Sequence, residues 1–328
     1  MAVYTDLGTE RLAALIAAYD VGDLVSAKGI AEGVSNSNWL IETSGRDGGT
    51  GSQGARFILT MYERRIETAD LPFFLDLLDH LSAAGCPVPR TIHDRDGASF
   101  RMVDGKAVAL IEFLPGVSID DPDEEQAHAV GVALADLHLA TRDFAQTRRT
   151  SLGIPTCVGM VRDHAERLGE VDPALPDILR DCGASLLESW PEGLPDGTIH
   201  ADLFPDNVLF VGEQVTGLID FYFACTGLLA FDLAVTHAAW SFAATGNDFR
   251  PSIGGALMAG YESRRPLTRE ERRALPILAQ GACLRFVATR GEDWFATQAD
   301  GLVRRKNPMQ FAQRLAFYRD RGEAAFQS

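Results

Sequence analysis

Residues 199–221 read IHADLFPDNVLFVGEQVTGLIDF. Val208–Val211 and Val215–Ile219 are apolar, β-prone runs separated by Gly212, Glu213 and Gln214, the pattern of a β-hairpin. With its turn centred near 213–214, the hairpin places Asn207 opposite Asp220 to within a residue or two. Asp202 lies on the loop just before it. One short segment thus brings an amide oxygen and two carboxylates to the same open end.

That donor set has a chemical use. Mg²⁺ takes oxygen ligands, few from protein and the rest from phosphates and water. Phosphoryl transfer needs a carboxylate to orient the attacking hydroxyl and accept its proton. The spacing H-x-D-x4-N, followed by a hairpin ending in Ile219-Asp220-Phe221, predicts Asp202 as the base and Asn207 and Asp220 as metal ligands. His200 belongs to the catalytic loop as its hydrogen-bonding brace, and Asp206 reads as a surface acid. Any one of these residues alone would be an ordinary turn former.

Outward from the hairpin the period of the apolar residues changes twice. Leu12, Leu15, Ile16 and Tyr19 predict a helix over 9–20, with Thr9 as its N-cap. Ile30–Thr43 and Arg56–Tyr62 read as strands around Gly45–Gly54, a glycine-rich tip that reads as a tolerated loop insertion. Residues 70–84 predict a helix capped by Asp70 and stopped by Gly85. A strand and turn follow in PVPRTIHDRDG, then an apolar strand at Ala107–Phe113. Beyond Glu124 helices dominate, at 124–141, 158–169, 177–190, 228–243, 252–262, 268–291 and 308–322. The expectation is an α+β chain. Residues 1–113 form an N-terminal lobe of antiparallel strands with a helix, 114–328 a mostly helical C-terminal lobe, and 114–118 the connector.

The bulk composition narrows the function classes. An apolar fraction of 46% with 23% charged residues excludes disorder and fibres. A formal charge of −16 repels nucleic acid and anionic membranes, so an anionic substrate needs local cations, which a divalent metal supplies. Five scattered cysteines without C-x-x-C argue against a disulfide framework or a zinc site. With no apolar run of membrane length, a cytoplasmic location is expected.

His200-Ala-Asp202-Leu-Phe-Pro-Asp-Asn207 resembles the catalytic loop of the aminoglycoside phosphotransferase and choline kinase superfamily, relatives of protein kinases. Leu218-Ile219-Asp220-Phe221 resembles its metal-binding motif, and Phe231-Asp232-Leu233-Ala234 the helix start that follows. Within that superfamily, the N-terminal MAVYT, GIAEGVSNSN at 29–38, ADLPFFLDLLDHL at 69–81, IHADLFPDNVLF and GLIDFYFAC are similar to bacterial homoserine kinases of the phosphotransferase type. The resemblance runs nearly end to end. It implies a protein-kinase-like bilobal fold, ATP and Mg²⁺ as cofactors, and phosphorylation of the homoserine side-chain hydroxyl, an early step towards threonine. Choline, methylthioribose or an aminoglycoside as acceptor, and a nucleotide-binding scaffold without activity, are the alternatives.

The same resemblance assigns the N-terminal lobe. Gly33 lets backbone approach the nucleotide phosphates, and Asn36, Ser37 and Asn38 donate to them. An adenine edge meets the backbone at Glu112 and Leu114. One position departs from the pattern: most relatives carry Lys or Arg where FILTMYE has Thr60, and Thr60 supplies no charge. Arg64 or Arg65 is a candidate replacement. His138 reads as a structural histidine, Asp232 as a cap or brace of its helix, and Trp190 and Trp240 as core. Arg285, in the apolar helix GACLRFVATR, needs a partner, either a substrate carboxylate or an internal acid.

Overall fold

The computed structural model describes residues 7–30, 36–45, 54–63, 66–243, 248–296 and 306–327. The chain divides into two compact units, Met1–Pro115 and Gly116–Ser328.

The first unit begins with α1 (Thr9–Ile16), then β1 (Leu24–Ile30), β2 (Asn36–Thr43), β3 (Ala55–Tyr62), α2 (Leu71–Ala83), β4 (Thr91–Ile92), β5 (Arg101–Val103) and β6 (Lys106–Glu112). The six strands form one antiparallel sheet in the order β1-β2-β3-β6-β4, with β5 on β6. Period-2 alternation sends Trp39, Ile41, Phe57, Leu59, Met61, Val108 and Leu110 to one face, where they pack with Leu12, Leu15 and Ile16 of α1. Both helices differ from expectation at their starts. Gly8, not Thr9, stands at the N-cap of α1, and Asp70 closes a 3₁₀ turn without a side-chain cap bond. Gly85 does stop α2, at φ +84°.

The second unit contains α3 (Glu124–Ala140), α4 (Ile154–Asp163), α5 (Ala165–Val171), α6 (Leu175–Ser189), β7 (Asp196–Ile199), β8 (Val208–Val211), β9 (Gln214–Leu218), β10 (Cys225–Leu228), α7 (Leu229–Trp240), α8 (Pro251–Arg264), α9 (Arg269–Ala296) and α10 (Met309–Arg321). A capping box between Asp123 and Gln126 opens α3. Pro155, Pro176 and Pro251 lie in the first turns of α4, α6 and α8, where a missing N–H costs nothing. Pro155 therefore starts α4 earlier than the expected 158, and the helix breaks at His164 before α5.

Two glycines set how closely α3 and α8 pack. A Cβ on Gly131 would fall 2.1 Å from the Leu257 carbonyl oxygen, and one on Gly260 would fall 2.1 Å from that of His128. The two backbones are in direct contact, which brings His138 of α3 to Tyr261 of α8. The small sheets β7–β10 and β8–β9 sit among these helices and carry the loop that contains Asp202.

Candidate active site

The predicted hairpin forms, with its turn at Gly212–Glu213, one residue earlier than the spacing suggests. Val208 pairs with Leu218 and Val211 with Gln214, with an irregularity between Leu209 and Phe210. The Ile219 amide donates to the Asn207 carbonyl at 3.0 Å, so Asn207 stands one residue from Asp220 in register. The Asn207 amide nitrogen donates 2.8 Å to the Asp202 carbonyl, which orients its side-chain oxygen away from the loop. The structure brings Asp202, Asn207 and Asp220 together.

Two residues here adopt left-handed backbone without being glycine, Ala201 at φ +62° and Asp220 at φ +65°. Such a conformation persists only where surroundings enforce it. At Ala201 the enforcement is visible. Asp232, fully buried in the first turn of α7, accepts from the His200 amide through Oδ2 and from the Ala201 amide through Oδ1, each at 2.7 Å. Burial alone would raise the Asp232 carboxyl, yet the bond from His138 and those from the loop amides hold it below the usual carboxylate range.

Behind Asp232 runs a buried polar chain. His138 Nε2 meets Asp232 Oδ2 at 3.0 Å, and its Nδ1 meets the Tyr261 hydroxyl at 2.8 Å. Arg265 donates to the same hydroxyl at 3.2 Å and to Glu271 at 2.7 Å. A buried carboxylate needs such complete pairing. His138 is thus the satisfied histidine expected, whereas Asp232 braces the loop at His200 and Ala201 rather than capping α7. The signal for it was present in the sequence: one acid in the most apolar stretch of the chain.

His200 is buried, with Nε2 donating to the Ile219 carbonyl at 3.0 Å and Nδ1 accepting the Asp202 amide at 3.2 Å. Burial lowers its basicity. It ties the loop to the end of β9 and presents no nitrogen to a reacting group. Trp240, itself core, adds a further tie by donating 2.9 Å to the Leu203 carbonyl. Asp206 is exposed and pairs with Lys306 at 3.2 Å.

Arg285 requires a correction. Its guanidinium donates to the Ala201 carbonyl and lies 3.5 Å from Asp202 Oδ1, with the rings of Phe223 and Phe286 at 4.9 and 4.7 Å. At 3% exposed, Arg285 has its internal partners in the loop at Ala201 and Asp202. This withdraws the substrate carboxylate as the reason for its burial.

Burial raises the Asp202 carboxyl, and Arg285 and His200 oppose that rise. The Asp220 carboxyl is pushed up to about 7 by the surrounding protein and then by the charges of Asp202 and Asp206. Asp220 nonetheless keeps solvent contact. The like-charge part of its shift is therefore the part that a cation reaching it through solvent reverses. Crowded carboxylates beside an amide oxygen suit a hard divalent ion. Among the described residues no three of His, Cys, Asp and Glu cluster as metal ligands, so such an ion would take its remaining oxygens from phosphate and water.

In the first unit, Gly33, Arg64, Arg65 and most of the glycine-rich tip lie outside the described residues. Asn36, Ser37 and Asn38 open β2, within the strand expected over 30–43. Ser37 is buried and donates 2.7 Å to Glu63, which removes it from phosphate contact. Asn38 stands between Ile30 and Thr60 on the sheet. The Glu112 amide donates to the Arg90 carbonyl at 3.0 Å and is therefore occupied.

A sequence profile of the phosphotransferase enzyme family matches residues 26–275. The chain belongs to the phosphotransferase enzyme family. This phosphotransferase is 47% identical over 321 residues to a homoserine kinase of Gluconacetobacter diazotrophicus, covering 97% of each chain. It is 45% identical over 319 residues to a homoserine kinase of Rhizobium johnstonii, covering 97% of this chain and 96% of that one. The solved structure of a spectinomycin phosphotransferase in complex with ADP and spectinomycin matches it with a TM-score of 0.71 at 13% identity, over 97% of this chain and all of that one. That likeness is one of fold, and the α+β architecture of the phosphotransferase is kinase-like. None of its five cysteines forms a disulfide among the described residues. No helix among the described residues is long and apolar enough to cross a membrane.

Proposed function

We propose that the chain is an ATP-dependent homoserine kinase, transferring the γ-phosphoryl group to the side-chain hydroxyl of L-homoserine. The observation that carries the chemistry is the convergence of Asp202, Asn207 and Asp220 at the open end of one hairpin. The acceptor rests on likeness to homoserine kinases along 97% of the chain.

Each residue takes a role from its surroundings. Asp202 orients the homoserine hydroxyl and receives its proton as oxygen attacks phosphorus. The new O–P bond forms as the bond to the β-phosphate oxygen breaks, and ADP leaves. No serine, cysteine or histidine at the loop is paired with a base as a nucleophile would be, so transfer is direct. Arg285 and His200 hold the loop. Asn207 and Asp220 hold magnesium, which when bound neutralises phosphate oxygens. The Leu114 amide, which donates to nothing among the described residues, is offered to the edge of the base.

The test is ADP release in the presence of Mg²⁺ and ATP, with homoserine, choline, methylthioribose or an aminoglycoside as acceptor. Homoserine should give the highest kcat/KM, and Asp202→Asn should lower turnover by about 10²–10⁴-fold while nucleotide still binds. A preference for another acceptor overturns homoserine and leaves the kinase reading. No turnover with any of them, from a folded chain that binds ATP, supports the scaffold instead.

A further inference from the structure

Three rows of side chains cross the face of the first unit's sheet that turns away from α1. Directly paired residues share a face. One row runs Ser26, Glu42, Arg56; the next runs Lys28, Leu40, Ile58, Ile111; the third runs Ile30, Asn38, Thr60, Ala109. This is the face opposite the cluster that packs on α1. Its centre is apolar, with Leu40 and Ile58 half-buried, a floor of the kind that takes a flat base. Thr60, 3% exposed, brings no charge to it.

Three of the four cations on the described strands of this sheet are engaged. Lys106 shares the opposite face with Val108 and Leu110 and is ion-paired to Glu63. Arg56 lies over the Phe113 ring, 4.9 Å from its centre, and Arg101 is paired with Asp94. Lys28 is exposed, and no hydrogen bond or ion pair holds its ammonium among the described residues. It stands two strands and two residues from Thr60, about 12 Å between Cα atoms.

A chain of net charge −16 that binds a nucleoside triphosphate needs a cation at the phosphates beyond its metal. We propose that Lys28 supplies it: the phosphate-binding charge that kinases carry on the strand of Thr60 has moved, in this chain, to β1 on the same face. The inference rests on the nucleotide-binding reading above and adds the residue that meets the phosphates. A lysine ammonium on a four-carbon stem suits this, because it contacts phosphate as a point charge without a fixed fork geometry.

The experiment is calorimetric titration of the full chain with ATP, ADP and adenosine in Mg²⁺, for wild type, Lys28→Met, Lys28→Arg and Arg64→Ala. Lys28→Met should weaken ATP and ADP by about tenfold or more and leave adenosine within about twofold, with Lys28→Arg close to wild type. Unchanged ATP affinity in Lys28→Met would make Lys28 a solubilising edge-strand lysine and overturn the proposal. Equal weakening of adenosine would overturn it too, by showing an effect on the sheet rather than on phosphate. So would loss in Arg64→Ala with none in Lys28→Met. A wild-type chain that binds none of the three overturns the nucleotide reading itself, a result distinct from any of these.

Discussion

Arg285 and Ala201 meet across 84 residues of sequence, the guanidinium of one donating to the carbonyl of the other. The peptide that follows Ala201 is the one that carries Asp202, so the arginine holds Asp202 through its backbone as well as its carboxylate. Arg285→Ala should therefore lower kcat by at least about tenfold with little change in KM for the acceptor. Arg285→Lys should recover part of the loss. A raised KM with kcat intact would instead return Arg285 to the substrate carboxylate.

Asp232 serves two consecutive amides and a histidine with two oxygens. Asp232→Asn keeps the volume but offers one oxygen and turns an NH₂ towards a donor. One buried loop amide is left unpaired, at about 1–3 kcal/mol. The urea midpoint and kcat should both fall. A variant with wild-type midpoint and wild-type kcat would show that the loop holds its left-handed turn without this carboxylate.

Asn207→Ala and Asp220→Ala should weaken nucleotide binding when Mg²⁺ is present and leave it nearly unchanged in EDTA. Titrating ATP under both conditions checks this. Equal losses with and without the metal would assign both side chains to the protein alone.

Gly131→Ala puts a methyl carbon 2.1 Å from the Leu257 carbonyl oxygen, so α3 and α8 must separate. Thermal unfolding should show a loss of about 1–3 kcal/mol. The control is Gly159→Ala, within α4, where a Cβ meets nothing within 4 Å. That change should be neutral or stabilising by about 1 kcal/mol. Similar values for the two variants would contradict the close approach at Gly131.

His237 is buried against Tyr318, Phe249 and Phe326, and burial pushes its imidazole down to about 3. The unfolded chain protonates this group near its ordinary 6.5 and the folded chain does not. Its contribution to stability is therefore complete above pH 6.5 and is lost as pH falls from there towards about 3. Urea midpoints at pH 7.5 and 5.0 should differ more for wild type than for His237→Phe. Equal differences would place the acid sensitivity elsewhere.

Most of this fold is local in origin, and so were its signs. The helices follow 3.6-residue periods with prolines in their first turns, and the β8–β9 hairpin follows its alternation and turn residues. Asn207 and Asp220 meet because a hairpin brings the two residues at its open end together whatever surrounds it. Where expectation failed locally, a neighbour had intervened: Ser37, expected at the phosphates, donates to Glu63 instead.

The sequence alone determined the hairpin at 208–218, the side chains at its open end and the α+β character of the chain, because each is written in spacings no longer than a helix or a hairpin. Only the tertiary structure decided which partners hold the loop just before that hairpin. Asp232 reaches the His200 amide across 32 residues and His138 across 94, and His138 reaches Tyr261 across 123. Such pairings depend on how closely helices approach, which Gly131 and Gly260 set by lacking a Cβ. A buried acid in a sequence announces that a partner must exist. Packing alone chooses which partner, because desolvation penalises every arrangement that leaves the charge unmet.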